Sequence, residues 1–264
     1  MPLIYGVNTV NEALKARKVA RVIHARGAGA RVDAILDRAR ELRIPVETSD
    51  NRHLERLCRG GVHQGIAAEL QQMAAYTVDE LIETAAIKEE APLLVILDGI
   101  EDPQNVGAIL RSANAAGVHG VIRQARHAAR LDGATAKASA GATNHIQVAT
   151  VVNISRTIEE LKEKNIWTIG LDGSATESYE DVDYTMPTAF VFGAEGDGLR
   201  HLVRETCDRI VSIPMLGEVE SLNVSVAAGI TLYEAVRQRR AAQAARERDL
   251  KGGKGSKERK GRRE

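Results

Sequence analysis

The sequence predicts an α/β protein with a mostly parallel sheet and helices on both faces, preceded by a smaller α/β unit. Two observations carry this. From Pro92 to about Arg240, apolar runs (Leu93–Leu97, Gly120–Ile122, Trp167–Leu171, Ala189–Phe192, Ile210–Ile213) alternate with segments of helical spacing, the βα pattern of a sheet buried on both sides. Before residue 71 a shorter set of alternating elements stands apart from it, and after Arg240 the apolar content collapses.

Residues 1–70 read as a compact module. Thr9 to Glu12 fits a capping box opening a short helix, and Val19 to His24 is strand-like. Val32 to Leu42 sets Ile35, Leu36, Ala39 and Leu42 on one helical face, and Pro45-Val46-Glu47 begins another extended piece. Residues 71–91 are rich in Ala and Glu and carry no strand signal, so they read as a linker, with helical spacing at Val78, Leu81, Ile82 and Ala85. Residues 92–240 form the larger domain. Residues 241–264, with Lys251-Gly252-Gly253-Lys254-Gly255-Ser256-Lys257 at their centre, form a basic tail expected to be disordered when free.

Composition narrows the function. No apolar run is long enough to span a bilayer, and the start of the chain lacks the charged and apolar regions of a signal peptide. Cys58 and Cys207 have no metal-ligand spacing and imply neither a disulfide framework nor a zinc site, so a reducing cytoplasm is expected. The formal charge of +0 conceals an asymmetry: +4 over residues 1–70, −12 over 71–236 and +8 over 237–264. Basic ends around an acidic middle suit a chain that touches a polyanion, although a solvated face explains the modest front charge equally well.

The larger domain carries three polar interruptions in apolar surroundings. The first follows the strand Leu93–Leu97: Asp98-Gly99-Ile100-Glu101-Asp102-Pro103-Gln104-Asn105-Val106-Gly107-Ala108-Ile109-Leu110-Arg111. Pro103 suits a helix start, and Val106, Ile109, Leu110 and Ala113 form a buried stripe from which Arg111 departs. Gly107 leaves room for close approach of a backbone or phosphate. The second is Gly193-Ala194-Glu195-Gly196-Asp197-Gly198 after Phe190-Val191-Phe192. Its spacing is not that of a dinucleotide-binding loop, and its carboxylates would repel a pyrophosphate while tolerating a cation. The third, Ser221-Leu222-Asn223-Val224-Ser225-Val226-Ala227, joins the strand ending Ile213-Pro214-Met215 to a helix with apolar positions Val226, Ile230, Tyr233 and Val236. Taken singly, Arg111 reads as a surface arginine, Glu195 as a helix-start carboxylate, and Ser221 or Asn223 as a helix cap.

In this order the three stretches resemble the motifs of the SpoU (TrmH) family of RNA ribose 2′-O-methyltransferases, which use S-adenosylmethionine. The resemblance runs from about Leu3 to Arg240. It implies a SPOUT catalytic domain, a Rossmann-like sheet whose C-terminal part forms a deep trefoil knot, and an N-terminal L30e-like RNA-binding domain, to which Tyr5-Gly6-Val7-Asn8 and His63-Gln64-Gly65 are similar. It also implies that Asn105, Arg111, Glu195, Ser221 and Asn223 serve catalysis. Backbone at Gly193, Ile213, Met215 and Leu222 would hold the cofactor, with no metal. The active form would be a homodimer in which small Ala227, Ala228 and Gly229 allow close helix packing.

The implied substrate is a guanosine ribose in the peptidyl-transferase loop of 23S rRNA, free or in a precursor particle. The enzymatic alternatives are a transfer RNA ribose methyltransferase and an antibiotic-resistance rRNA methyltransferase; a silent ribosome-assembly factor is the non-enzymatic one. An arginine rarely loses its proton, so Arg111 is expected to clamp a phosphate and the developing alkoxide. Glu195 and Asn223 would orient it, and the proton acceptor is Glu195, a phosphate oxygen or water.

Overall fold

The computed structural model describes residues 3–70, 76–126, 128, 135, 138–139, 142 and 145–260, with side chains to residue 248. The first unit is a sheet of order β1-β4-β2-β3, formed by β1 (Leu3–Tyr5), β2 (Val19–Ala25), β3 (Val46–Ser49) and β4 (Ile66–Leu70). Strand β2 is parallel to β3 and antiparallel to β4. Successive residues of a strand point to opposite faces, so Val22 packs with Val10, Leu14, Ile35 and Leu36 of α1 (Val7–Lys15) and α2 (Ala30–Glu41). Its neighbour Ile23 packs with Leu54 of α3 (Asn51–Leu57) on the other face.

The capping box expected from Thr9 is not formed. Helix α1 begins at Val7, behind Gly6 at φ 93°, and Thr9 is buried inside it. Glycine makes this left-handed turn without strain, and Gln64 Oε1 accepts the Val7 N–H at 3.0 Å, so a residue from the far end of the unit does the capping.

The second unit holds a seven-stranded sheet of order β7-β6-β5-β10-β8-β11-β9. Its strands are β5 (Leu93–Leu97), β6 (Gly120–Gln124), β7 (Val148–Val151), β8 (Trp167–Leu171), β9 (Glu177–Ser178), β10 (Thr188–Phe192) and β11 (Arg209–Ser212), all paired in parallel. Strand β5 is buried throughout: Leu93, Val95 and Leu97 join one core, Leu94 and Ile96 the other. Helices α5 (Pro103–Ala115) and α8 (Val224–Lys260) cover the first face; α4 (Val78–Ile87), α6 (Ile154–Glu163) and α7 (His201–Thr206) cover the second.

Part of the expected linker belongs to this core. Leu81 and Ala85 of α4 are buried, and Gly120 of β6 lies so close that an added Cβ would meet Leu81 at 2.6 Å. Residues 71–75 lie outside the described residues. The tail also departs from expectation: α8 continues as one helix to Lys260. Its stretch Ala241-Ala242-Gln243-Ala244-Ala245-Arg246 is rich in strong helix formers, and extending an existing helix is far easier than nucleating one. Residues 261–264 lie outside the described residues.

The apolar stripe expected on the last helix faces outward. Val226 and Tyr233 are about half exposed, at 49% and 53%, whereas Ala228, Thr231, Leu232 and Ala235 are buried. The small residues serve this chain's own packing against α5, with Gly229 beside Ser112. Beyond them Arg239 bolts α8 to the opposite edge of the sheet. It donates from Nε to the Tyr184 carbonyl at 2.8 Å, from Nη1 to Ala91 at 2.6 Å, and from Nη2 to Pro92 and Met186 at 2.9 and 3.0 Å.

Candidate active site

Three turns at the C-terminal edge of the parallel sheet enclose one cleft of about 620 Å3, lined by 171–174, 192–198 and parts of 211–227. This edge is where open α/β sheets bind ligands. Strand β10 ends in the turn carrying Glu195, which closes on itself: Ala194 N–H donates to the Gly198 carbonyl at 3.0 Å and Gly198 N–H to Ala194 at 2.9 Å. A Cβ at Gly193 would lie 2.1 Å from the Gly198 carbonyl carbon, so this glycine is required by the closure of the turn. Gly196 and Gly198 have φ of 86° and 68° and no atom near their missing Cβ, so both take conformations that glycine adopts without strain.

Asn105, Glu195 and Asn223 are joined by hydrogen bonds. Asn105 Nδ2 donates to Glu195 Oε2 at 2.8 Å, and Asn223 Nδ2 donates to Asn105 Oδ1 at 2.9 Å. Asn223 Oδ1 in turn accepts the Ser225 N–H at 2.9 Å and the Ser225 hydroxyl at 2.5 Å. A carboxylate that only accepts ends the chain on one side and a backbone N–H that only donates ends it on the other, which fixes both amide orientations. Asn223 is therefore both the helix cap and a member of the site. Asn105 is buried at 6% exposure, while Glu195 and Asn223 reach solvent.

Ser221, Gly193, Ile213, Met215 and Leu222 all line the cleft. Ser221 is exposed and makes no hydrogen bond to another described residue. From Ile213 to Leu222 no backbone group bonds to another described residue, an unusual run of open donors and acceptors. The lining includes Asp172, Glu195, Asp197 and Glu220 and no Lys or Arg. Burial alone would raise the Asp172 carboxyl, but hydrogen bonds from Ser174 and the Arg204 guanidinium hold it below its usual value.

Arg111 stands apart from this cluster. It lies on α5, exposed, outside the lining of the cleft and without a hydrogen bond to another described residue. The space at Gly107 is filled by protein: an added Cβ would meet Ala138 Cβ at 2.4 Å and the Ser139 nitrogen at 2.8 Å.

Sequence reasoning missed Asp98 and Arg200. Asp98 is 1% exposed and accepts the Arg200 N–H at 3.0 Å and its Nε–H at 2.7 Å; Nη2 of Arg200 joins the pair. This ties the end of β5 to the residue that leaves the Glu195 turn. A charged residue directly after a wholly apolar strand is the signal that marks it.

A parallel α/β sheet with a glycine-turn cleft at its C-terminal edge and an amide–carboxylate cluster at the rim has the form of a small-molecule site. Residues 92–233 match the SpoU rRNA Methylase family, and residues 3–74 match the RNA 2′-O ribose methyltransferase substrate binding family. The chain belongs to the SpoU rRNA methylase family. It is 45% identical over 210 residues to a 23S rRNA (guanosine-2′-O-)-methyltransferase of Bordetella pertussis, covering 79% of this chain and 84% of that one. It is 40% identical over 238 residues to a putative TrmH family tRNA/rRNA methyltransferase of Bacillus subtilis, covering 89% and 95%. Among solved structures it is similar to the SpoU methyltransferase AviRb from Streptomyces viridochromogenes in complex with the cofactor AdoMet. That match has a TM-score of 0.75 at 29% identity, covering 90% of each chain.

Proposed function

We propose that this chain methylates the ribose 2′-oxygen of a guanosine in 23S rRNA, using S-adenosylmethionine. The observation that carries the reading is the hydrogen-bonded set Glu195–Asn105–Asn223 at the rim of a cleft whose 213–222 wall has open backbone groups. The residues present fit the cofactor. Open N–H and C=O groups can hold an adenine and an amino acid moiety, and a carboxylate-rich lining without Lys or Arg favours a sulfonium over a phosphate. When bound, S-adenosylmethionine supplies an electrophilic methyl carbon on a positively charged sulfur.

The chain's own contribution is position and charge. Backbone at Gly193, Ile213, Met215 and Leu222 holds the cofactor. Arg111, exposed and unengaged by other described residues, clamps an RNA phosphate and the oxyanion that develops on the ribose. Asn105 and Asn223 fix Glu195 through Oε2, which leaves Oε1 to receive the hydroxyl proton or a hydrogen bond from the ribose. Ser221 hydrogen-bonds substrate from the rim.

The same reading extends to architecture. A trefoil knot is supported by the place of β11, inserted between β8 and β9, which precede it and are joined by residues 172–176. An L30e-like role for residues 3–70 is supported by the match to the substrate-binding family. A homodimer, built on the outward stripe of Val226 and Tyr233, is supported by their exposure beside the site. The protein would work in the cytoplasm, where rRNA is made.

The test is transfer of a labelled methyl group to 23S rRNA by purified protein, followed by mapping of 2′-O-methyl positions. A label on a guanosine ribose is expected. A label on a base, or on transfer RNA alone, would overturn the substrate; absence of cofactor binding by calorimetry would overturn the enzyme.

A further inference from the structure

Helix α3 presents a surface with no role in the reaction. Arg52 and Arg56 lie one turn apart on it, about 6 Å along its axis, and Arg59 follows in the turn after its end. All three are exposed and line one shallow depression with Asp50, Asn51, Glu55 and Gly60, and their guanidinium groups bond to no other described residue.

Stability does not explain Arg52, which sits in the first turn of α3, where the helix dipole disfavours a cation. Arg59 has φ 51°, the left-handed helix-ending position that Arg17, Arg43, Glu89 and Asn165 also take, and the Gly60 N–H closes the turn on the Glu55 carbonyl at 3.0 Å. Asp50, which caps the helix by accepting the His53 N–H at 2.7 Å, and Glu55, which accepts from Asn51, lower the charge of the depression without pairing with an arginine.

Helix α3 begins where β3 ends, and the segment leaving it returns beside Tyr5 at the end of β1, since an added Cβ at Gly61 would meet the Tyr5 hydroxyl at 2.4 Å. Arg59 therefore opens onto the same sheet edge as the turns that start α1 and α2, where Arg26 and Arg31 are also exposed. Arg17 and Arg43 occupy left-handed positions after α1 and α2, at the other edge, where β2 and β3 begin.

We infer that Arg52, Arg56 and Arg59 form the phosphate grip by which the N-terminal unit holds RNA, a deepening of the proposed function that rests on it. The stripe grips backbone charge, for which the planar guanidinium fork is suited.

The experiment measures binding of the full-length protein to transcribed 23S rRNA across a salt series, together with kcat and KM. In R52Q/R56Q/R59Q the slope of log K against log salt should flatten by roughly 0.7–0.9 for each phosphate that the protein no longer neutralises. KM for RNA should rise about tenfold while kcat is retained, and R52K/R56K/R59K should keep most of the slope. Arg59→Gly should raise Tm and yet raise KM, a combination that a merely structural arginine would not give. An unchanged slope in the glutamine variant, or an equal loss in R17Q/R43Q, would overturn the stripe as the grip. If wild-type protein binds 23S rRNA but does not methylate it, the proposed function fails while the slopes still decide this inference.

Discussion

Asn105 Nδ2 donates to Glu195 Oε2 at 2.8 Å, which makes a buried amide on α5 the support of an exposed carboxylate 90 positions later in the chain. The carboxylate is thereby held at the cleft rim by a group that is itself buried. Catalysis depends on such placement, since a misplacement of about 1 Å can lower a rate on the order of 10²-fold.

Asn105→Ala should therefore lower kcat by about 10²-fold and leave the affinity for S-adenosylmethionine nearly unchanged. It should also destabilise the fold by roughly 0.5–1.5 kcal/mol, because the hydrogen bonds of Asn105 to Glu195 and Asn223 are lost. Asn105→Asp should be worse, as it sets a second carboxylate against Glu195. Single-turnover kinetics and calorimetry with cofactor check both; an unchanged kcat would show that Glu195 needs no support.

Arg111→Ala should abolish turnover while stability stays within about 0.5 kcal/mol of wild type, the range for surface positions. Arg111→Lys should rescue poorly, since a point charge cannot reproduce the planar fork. A loss of Tm like that of a core deletion would instead reveal a structural arginine.

Asp98→Asn should cost about 3 kcal/mol, because the Arg200 guanidinium and N–H lose a buried carboxylate. Arg200 is half exposed, so the loss should fall at the low end for buried ion pairs. Chemical denaturation measures it, and a change below about 0.5 kcal/mol would mean that the pair contributes nothing net.

His119 gives stability a pH dependence. Its ring is buried, Nδ1 accepts the Leu93 N–H at 3.0 Å, and Nε2 faces Glu90 at 3.1 Å. Burial pushes its pKa below the usual 6.5, with Lys88 and Arg239 acting in the same direction and Glu90 opposing them. The neutral form is favoured by folding, so this contribution is complete above about pH 6.5 and is lost as pH falls toward the lower folded value. Denaturation midpoints between pH 7.5 and 5 should decline for wild type and decline less for His119→Gln.

The strands β5, β6, β8, β10 and β11 were legible because each is an apolar run bounded by polar turns, whereas Asn105, Glu195 and Asn223 stood out only through the ordered triplet of motifs, since singly each reads as an ordinary turn, helix-start or cap residue. Their mutual contact was not legible, since nothing local in the sequence pairs positions 118 apart. The outer face of α8 was misread because spacing reveals an apolar stripe but not its direction: Ala228, Leu232 and Ala235 compete with Val226, Ile230 and Tyr233, and close approach to α5 favours the smaller set. Gln64 as the cap of α1 was invisible for the same reason as the cluster, being 57 positions from Val7.

The bond between Asn223 and Asn105 also orders events in time. A ribosome adds roughly 5–20 residues per second, so the amide on α5 waits on the order of ten seconds for a partner that emerges 118 residues later. Arg239, which grips carbonyls at Ala91 and Pro92 some 148 residues upstream, arrives later still. A nascent chain therefore cannot complete the site until the start of its last helix has been made.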